Sequence, residues 1–232
     1  MKILIACEES QRVTMEMRRL GHEAYSCDVQ EPSGGHPEWH IHGDAIKVLS
    51  SKSIQTMDGE IHAIGKWDML IAHPPCTYLS SAGAVRLFDA EHKIKDKARE
   101  QKMFEAASFF KKFWEADCSR IAIENPAPMH HAGLPAYSQI IQPYMFGDPW
   151  KKRTCLWLKG LPPLAATNIV KPLACWVNAG RAGNGRSTCR VKLQKEGYMG
   201  KKSAKDRSKT FPGIARAMAE QWAGEATQAE EE

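Results

Sequence analysis

Residues 67–76 read WDMLIAHPPC, an apolar run that ends at two prolines and a cysteine. The apolar residues predict a buried strand at 66–73. Because proline lacks a backbone N–H and holds its predecessor in an extended conformation, the strand must end here and continue as a stiff loop. The sequence therefore places Cys76 on a loop at the carboxyl end of a strand, which is where open α/β sheets carry their chemistry.

Similar strands recur along the chain and alternate with amphipathic segments. The run at 120–123 is another short apolar strand, and Glu124-Asn125-Pro126 follows it. Strands that alternate with helices predict an α/β fold with a doubly wound, mostly parallel sheet. The predicted strands are residues 3–6, 23–29, 40–42, 66–73, 120–123, 139–146 and 154–158, and the predicted helices are 11–20, 91–115 and 211–222. The helix at 91–115 is predicted to bury a stripe of Phe104, Ala107, Phe110, Phe113 and Trp114.

Length and hydropathy limit the class of protein. A chain of 232 residues favours one domain with a small appendage. No apolar run approaches the ~20 residues that span a bilayer, so we expect no membrane partner. The apolar stretch at 3–7 is too short for a signal peptide and is predicted to be the first strand.

Cysteines and histidines show no metal-binding pattern. The seven cysteines include no CxxC pair, which argues against a ribbon-type zinc site and favours a reducing, cytoplasmic compartment. Five histidines lie in loops rich in glycine and proline, without helical ligand spacing. We interpret these as surface or loop histidines and predict no metal site: His36, His40, His42, His130 and His131.

Charge is distributed unevenly along the chain. The formal net charge is +5, with a basic stretch at 151–209 and an acidic tail at 225–232. The basic stretch is compatible with binding to a polyanion such as DNA. A solvated surface with mobile lysines is an equally good interpretation.

The two strand ends resemble motifs of the cytosine-C5 DNA methyltransferases. In that family the nucleophile lies in a Pro-Cys motif after the fourth strand, and a base-binding glutamate lies in a Glu-Asn-Val motif after the fifth. The matching residues are Pro75-Cys76 and Glu124-Asn125, with Pro126 in place of valine. The resemblance covers residues 1–160 and implies a small, divergent, phage- or prophage-like member with the sheet of S-adenosylmethionine-dependent methyltransferases.

The resemblance implies a role for each matching residue. Cys76 would be the nucleophile that adds to C6 of cytosine, so that C5 can attack a methyl donor. Glu124 would contact N3 and the exocyclic amine, with a pKa raised by a dry pocket. Pro75 and Asn125 would contact the substrate. Asn125 would also orient the loop, and an ordinary turn asparagine is the alternative for this residue.

S-adenosyl-L-methionine is the cofactor that the resemblance implies. Asp28, at the end of the second strand, would bind the ribose hydroxyls, Asp44 would lie near the adenine amino group, and Pro74 would contact the cofactor. The family has a glycine-rich loop after strand one, whereas residues 6–11 here read ACEESQ. Glu8 or Ser10 would contact the amino-acid part of the cofactor. The alternative is that Glu8 and Glu9 begin a helix and interact with its positive end.

Residues 146–154, FGDPWKKRT, resemble a further stretch of the family. There, Gly-x-Pro precedes a Gln-x-Arg-x-Arg motif and a strand. The glutamine is Trp150 here, and the two arginine positions fall on Lys152 and Thr154, so Arg153 would substitute through a one-residue shift. A cation here would bind the base carbonyl or a phosphate. We assign Arg153 to catalysis and Lys152 to substrate binding, with a basic turn facing solvent as the alternative.

The resemblance implies three segments. Residues 1–160 form a catalytic domain, 161–210 a small basic insertion or minimal target-recognition region, and 211–232 a C-terminal helix with an acidic tail. The expected activity is methylation of C5 of cytosine in DNA, which in a duplex requires base flipping. Single-stranded DNA and a free cytosine nucleotide stay open as substrates. A non-catalytic nucleic-acid-binding protein on the same fold is the rival hypothesis.

Overall fold

The computed structural model describes residues 1–176, 206 and 208–226 of the chain. Its strands are β1 (Lys2–Ala6), β2 (Glu23–Asp28), β3 (His40–His42), β4 (Ser53–Gln55), β5 (Ile61–Ala63), β6 (Met69–Ala72), β7 (Ile121–Asn125), β8 (Gln139–Ile141), β9 (Trp150–Lys151), β10 (Thr154–Lys159) and β11 (Ala174–Cys175). Its α-helices are α1 (Arg12–Arg19), α2 (Ala45–Leu49), α3 (Ala84–Leu87), α4 (Lys97–Trp114) and α5 (Pro212–Trp222). The part of the predicted basic stretch 151–209 that follows residue 176 lies largely outside the described residues, and so does most of the acidic tail at 225–232.

Seven strands form the main sheet, in the order β3-β2-β1-β6-β7-β10-β8. Neighbours from β3 to β7 are parallel, whereas β10 runs antiparallel to both β7 and β8. The predicted mostly parallel α/β sheet is therefore confirmed. The direction of winding reverses between β1 and β6, and such a switch point is where open sheets bind their ligands.

The main sheet is covered on both faces. Alternate residues of each strand point to opposite faces, so Leu4 and Ile3 belong to two separate apolar clusters. One cluster contains Phe110 of α4, and the other contains Val13 of α1 and Met218 of α5. Each large apolar side chain that is fully buried in this way contributes roughly 1.5–3 kcal/mol to stability. The C-terminal helix is thus part of the same packed unit as β1.

The long helix starts later than predicted and buries a different residue. Within the predicted range 91–115, the helix begins after Asp96, whose side chain accepts a hydrogen bond from the backbone N–H of Arg99 at 2.9 Å. The prediction that Phe104 lies in the buried stripe is wrong, because Phe104 is 47% exposed and Met103 is fully buried in its place.

Several short elements were not predicted. They are the β4–β5 hairpin, α2, α3 and the β9–β11 pair. The strand predicted at 139–146 ends at Ile141 because Pro143 begins a 3-10 turn. Among the described residues, no helix is both long and apolar enough to cross a membrane.

Candidate active site

Cys76 lies on an exposed loop directly after β6. Its carbonyl oxygen accepts hydrogen bonds from the backbone N–H groups of Leu79 at 3.1 Å and Ser80 at 3.0 Å, which closes a tight turn. Pro74 is buried below this turn, and Pro75 is exposed beside Cys76. The thiol is therefore presented to solvent from a short, internally bonded loop.

Three hydrogen bonds join this loop to the end of β7 and the segment that follows it. The side-chain Nδ2 of Asn125 donates to the carbonyl oxygen of Pro74 at 2.7 Å in the protein interior. Further on, the N–H of Ser81 donates to Ala127 at 2.9 Å, and the N–H of Met129 donates to Leu79 at 2.7 Å. The side chain of Asn125 thus positions the Pro-Pro-Cys loop, beyond the ordinary turn role that was its alternative.

Helix α4 supports the same loop from the other side. Arg99 donates a hydrogen bond from Nη2 to the carbonyl oxygen of Thr77 at 3.0 Å. Its guanidinium carbon also lies 5.0 Å from the centroid of the Tyr78 ring, a cation–π distance. The two residues that follow Cys76 are therefore held against α4.

Glu124 lies within β7, not after it, and it faces His73. Ala72 pairs with Ile123 in the parallel register, so the next residues, His73 and Glu124, stand side by side. The His73 Nδ1 is 3.0 Å from Glu124 Oε2. Glu124 is 8% exposed, and Lys152 Nζ lies 4.0 Å from its other oxygen, Oε1.

Lys152 and His73 determine the ionisation of Glu124. Burial is the largest influence, and by itself it raises the pKa of a carboxyl group. The charge of Lys152 and the hydrogen bond and charge of His73 act in the opposite sense and outweigh it, so the pKa of Glu124 lies below its usual value. The prediction of a raised pKa is therefore wrong, and Glu124 is a carboxylate at neutral pH.

The cation beside Glu124 is Lys152 and not Arg153. The chain is extended as it enters β10, so Lys152 and Thr154 point to the face of Glu124, where they line a narrow cleft with Phe211. Arg153 points the other way, is exposed, and places Nη2 3.4 Å from the Tyr137 hydroxyl. The predicted one-residue shift is not needed, because Lys152 already occupies the position.

Two acidic side chains, Asp28 and Asp44, lie at the carboxyl ends of β2 and β3. Burial raises the pKa of the Cys7 thiol, and the charges of Asp28 and Asp44 raise it further. The same causes raise the pKa of Cys27 to about 12. Each carboxylate also accepts a backbone N–H two residues ahead at 2.9 Å. The structure thus brings Asp28 and Asp44 to one edge of the sheet.

Glu8 belongs to the start of α1. Its carboxylate accepts hydrogen bonds from the N–H of Val13 at 2.7 Å and from the Thr14 hydroxyl at 2.8 Å. Burial raises the pKa of Glu8, and the charge of His73 offsets part of that rise. Both oxygens of Glu8 are used by the helix, as the alternative interpretation expected, and Ser10 is only 7% exposed. The carboxylate of Glu8 is therefore engaged by α1.

The turn between β1 and α1 contains no glycine, yet two of its residues have the left-handed backbone conformation that is common in glycine-rich turns. Cys7 and Gln11 have φ values of 59° and 56°, in the left-handed region that glycine adopts most easily. The loop after β2 covers this turn. Its Ser33 N–H donates to the carbonyl of Glu9 at 2.7 Å, and the Gln11 side chain donates to the carbonyl of His36 in the same loop at 2.8 Å.

Four of the five histidines considered for metal binding contact protein groups through their rings: His36, His40, His42 and His131. His40 is fully buried, with its ring nitrogens 2.8 Å from Ser26 Oγ and 3.0 Å from the Gln30 carbonyl, so its interpretation as a surface or loop histidine is wrong. His131 Nε2 is 3.0 Å from Glu100. In the described part of the chain, no three His, Cys, Asp or Glu side chains are arranged to bind a metal ion.

Comparison with protein-family models and with curated proteins finds no match to this sequence. We therefore infer function from the main sheet and from the side chains at its carboxyl edge. His73 is the residue of this site that the sequence motifs did not indicate. Its signal was positional: it follows β6 by one residue, as Glu124 follows Ile123 in β7.

Proposed function

We propose that this protein is an S-adenosylmethionine-dependent methyltransferase that acts on C5 of cytosine in DNA, with Cys76 as the nucleophile. The observation that carries the proposal is the placement of Cys76 and Glu124 at the carboxyl ends of two adjacent parallel strands. An exposed cysteine follows the fourth strand of the main sheet, counted along the chain, and a buried carboxylate lies at the end of the adjacent fifth strand. Asn125 fastens the two strand ends together through Pro74.

This arrangement suits nucleophilic addition to a pyrimidine. The thiolate of Cys76 would form a bond to C6, and the electron pair of the C5=C6 bond would move through C4 to N3. C5 would then attack the methyl group, which the cofactor supplies as an electrophile. Loss of the C5 proton would restore the double bond and expel the thiolate.

Glu124 would bind the edge of the base that carries N3 and the exocyclic amine. As a carboxylate it accepts hydrogen bonds, and the amine is a donor. Lys152, beside Glu124, would bind the carbonyl oxygen of the base or a phosphate. Thr210 and Phe211 line the same narrow cleft as Glu124.

Asp28 and Asp44 are the residues that fit the cofactor. They lie at the carboxyl edge of the sheet, at the ends of β2 and β3 on the β1 side of the switch point, and each has a carboxylate near the surface. Hydroxyl and amino groups of an adenosine are donors that such carboxylates accept. The left-handed turn at Cys7 brings the backbone round the same edge without a glycine. Glu8 has its oxygens on α1 and takes no part in this binding.

Trapping with 5-fluorocytosine tests the proposal. Fluorine at C5 cannot leave as a proton, so the bond between Cys76 and C6 would persist after methyl transfer. We expect mass spectrometry to find the DNA adduct on the peptide that contains Cys76, and only with cofactor present. Cys76→Ser should form no adduct, whereas Cys118→Ser, a change to a buried thiol 6% exposed, should retain it.

Two outcomes would contradict the proposal. Turnover without an adduct, on both single- and double-stranded DNA, would exclude Cys76 as the nucleophile. Absence of methyl transfer to any cytosine substrate, with no calorimetric binding of S-adenosylmethionine, would favour the non-catalytic nucleic-acid-binding protein. The burial of Glu8 and Ser10 is the observation that favours this second candidate. Activity on a free cytosine nucleotide alone would identify the substrate as the monomer.

A further inference from the structure

His73 is held in a fixed position and faces Glu124. Its backbone N–H donates to the Ala6 carbonyl at 2.9 Å, and Pro74 stiffens the chain after it. The side chain is 9% exposed, with Nδ1 3.0 Å from Glu124 Oε2. Because a carboxylate can only accept, the hydrogen of this bond is on Nδ1 of His73.

The surroundings of His73 are charged on several sides. Glu124 contacts it from β7, and Glu8 at the start of α1 interacts with it through charge. Lys152 approaches the far oxygen of Glu124, and α5 contributes the uncharged Ile214 to the cleft beside that carboxylate. The second ring nitrogen, Nε2, is buried and has no hydrogen-bond partner among the described residues. Histidine is the side chain that gains and loses a proton between about pH 5 and 8.

The proposed reaction needs a proton that Glu124 does not hold. When Cys76 adds to C6, the electron pair that reaches N3 must be neutralised by a proton. Glu124 is a carboxylate at neutral pH, because Lys152 and His73 stabilise its charge. A second group must therefore supply the proton through Glu124.

We propose that His73 is a positioning residue that holds Glu124 and lends it the proton that N3 of the cytosine requires. The inference rests on the proposed function and extends it. The imidazolium passes its Nδ1 proton to Oε2 of Glu124, and that oxygen passes the same proton on to N3, which leaves a neutral ring with its hydrogen on Nε2 and Glu124 again a carboxylate. When C5 takes the methyl group and the C4=N3 bond re-forms, the proton returns by the same path.

His73→Asn separates the proton from the hydrogen bond. Asparagine can place Nδ2 near the position of Nδ1 and still donate to Glu124, but it cannot exchange a proton. The matched control is His92→Asn, an exposed histidine whose φ of 60° asparagine tolerates. Single-turnover methyl transfer is measured with saturating DNA and cofactor from about pH 5.5 to about pH 8.5, the range over which histidine titrates.

We expect His73→Asn to lower the neutral-pH rate by about 100-fold, the range of general acid–base catalysis. Its pH optimum should move to the acid side, because Glu124 must then take its proton from solvent. Affinities for DNA and cofactor should stay within a few-fold, and His92→Asn should match the wild type. An unchanged rate and pH optimum in His73→Asn would overturn the inference.

A second measurement separates this inference from the proposed function. The ¹³C carboxyl signal of Glu124 is titrated in the protein alone, in the wild type, His73→Asn and His73→Leu. The Glu124 pKa should rise in both variants, more in His73→Leu, because burial stays while a stabilising partner is lost. Equal pKa values in all three proteins would overturn the coupling. A displaced pKa without any methyl transfer would refute the proposed function and, with it, the proton role of His73.

Discussion

The hydrogen bond from Asn125 to Pro74 gives a quantitative test of how the protein positions Cys76. Asn125 is 2% exposed, and its Nδ2 donates to the Pro74 carbonyl at 2.7 Å. In Asn125→Ala this buried carbonyl loses its donor, which costs about 1–3 kcal/mol. The Asn125 Oδ1 is buried and has no hydrogen-bond partner in the described chain, so its removal offsets about 1 kcal/mol. The free energy of unfolding should therefore fall by about 1 kcal/mol.

The effect on chemistry should be larger than the effect on stability. Pro74 precedes Cys76 by two residues, so release of its carbonyl loosens the loop that presents the thiol. A displacement of about 1 Å lowers a catalysed rate by about 100-fold. We expect a loss of this size in single-turnover methyl transfer. Urea unfolding gives the stability, and the rate of iodoacetamide modification of Cys76, followed by mass spectrometry, reports the thiol without reference to function.

Gln139→Ala is the matched control for Asn125→Ala. Its amide exchanges hydrogen bonds of 2.7 and 2.8 Å with the backbone of Leu164, at the edge of the same sheet, away from Cys76. It should lower the free energy of unfolding by a similar amount and leave both rates unchanged. Equal losses of methyl transfer in the two variants would show a general loosening of the sheet. Unchanged methyl transfer in Asn125→Ala would refute the positioning role.

Three further predictions concern the cofactor, acid stability and the substrate. Asp28→Ala should weaken S-adenosylmethionine binding at least about tenfold in calorimetry, since a charge-assisted hydrogen bond contributes about 1.5–3 kcal/mol, whereas Asp58→Ala, on the β4–β5 turn, should not. Because the pKa of Glu124 is lowered in the fold, its charge stabilises the protein above the usual value of 4.5 and loses that effect as the pH falls through the folded pKa; urea unfolding at several pH values should show less loss of stability with acid in Glu124→Gln. Replacing Lys201 and Lys202 with alanine should reduce the salt dependence of DNA binding by roughly one to two units of slope if the substrate is polymeric, and should leave turnover of a free nucleotide unchanged.

The central strands could be predicted because their signal is local. The apolar runs of β1, β2, β6 and β7 were predicted to within a few residues, and the turn residues around them marked where each strand ends. The β4–β5 hairpin was not predicted because each of its strands has only three residues, and the first and last residue of each strand are exposed. Phe104 was placed on the wrong face because the 3.6-residue period locates a stripe only when the start of the helix is known.

The site could be predicted in part for the same reason. Cys76 and Glu124 stand in short motifs, but the partner of Glu124 lies 51 residues away in the chain. Which residue at the end of β6 lies beside Glu124 depends on the register of two parallel strands. Packing against helices sets that register. The pKa of Glu124 was predicted in the wrong direction. The apolar strand indicated that Glu124 is buried, but the sequence did not show that Lys152 and His73 lie beside its carboxylate.

The reversed strand β10 has a consequence for the order of folding on the ribosome. In the described chain β8 joins the sheet through β10, although β10 is synthesised later. A nascent chain that ends before residue 154 therefore has no partner for β8. Lys152 stands at the entrance to β10, so the cation beside Glu124 arrives with the strand that completes the sheet. We expect the charge balance of the site to be established only after β10 has been synthesised.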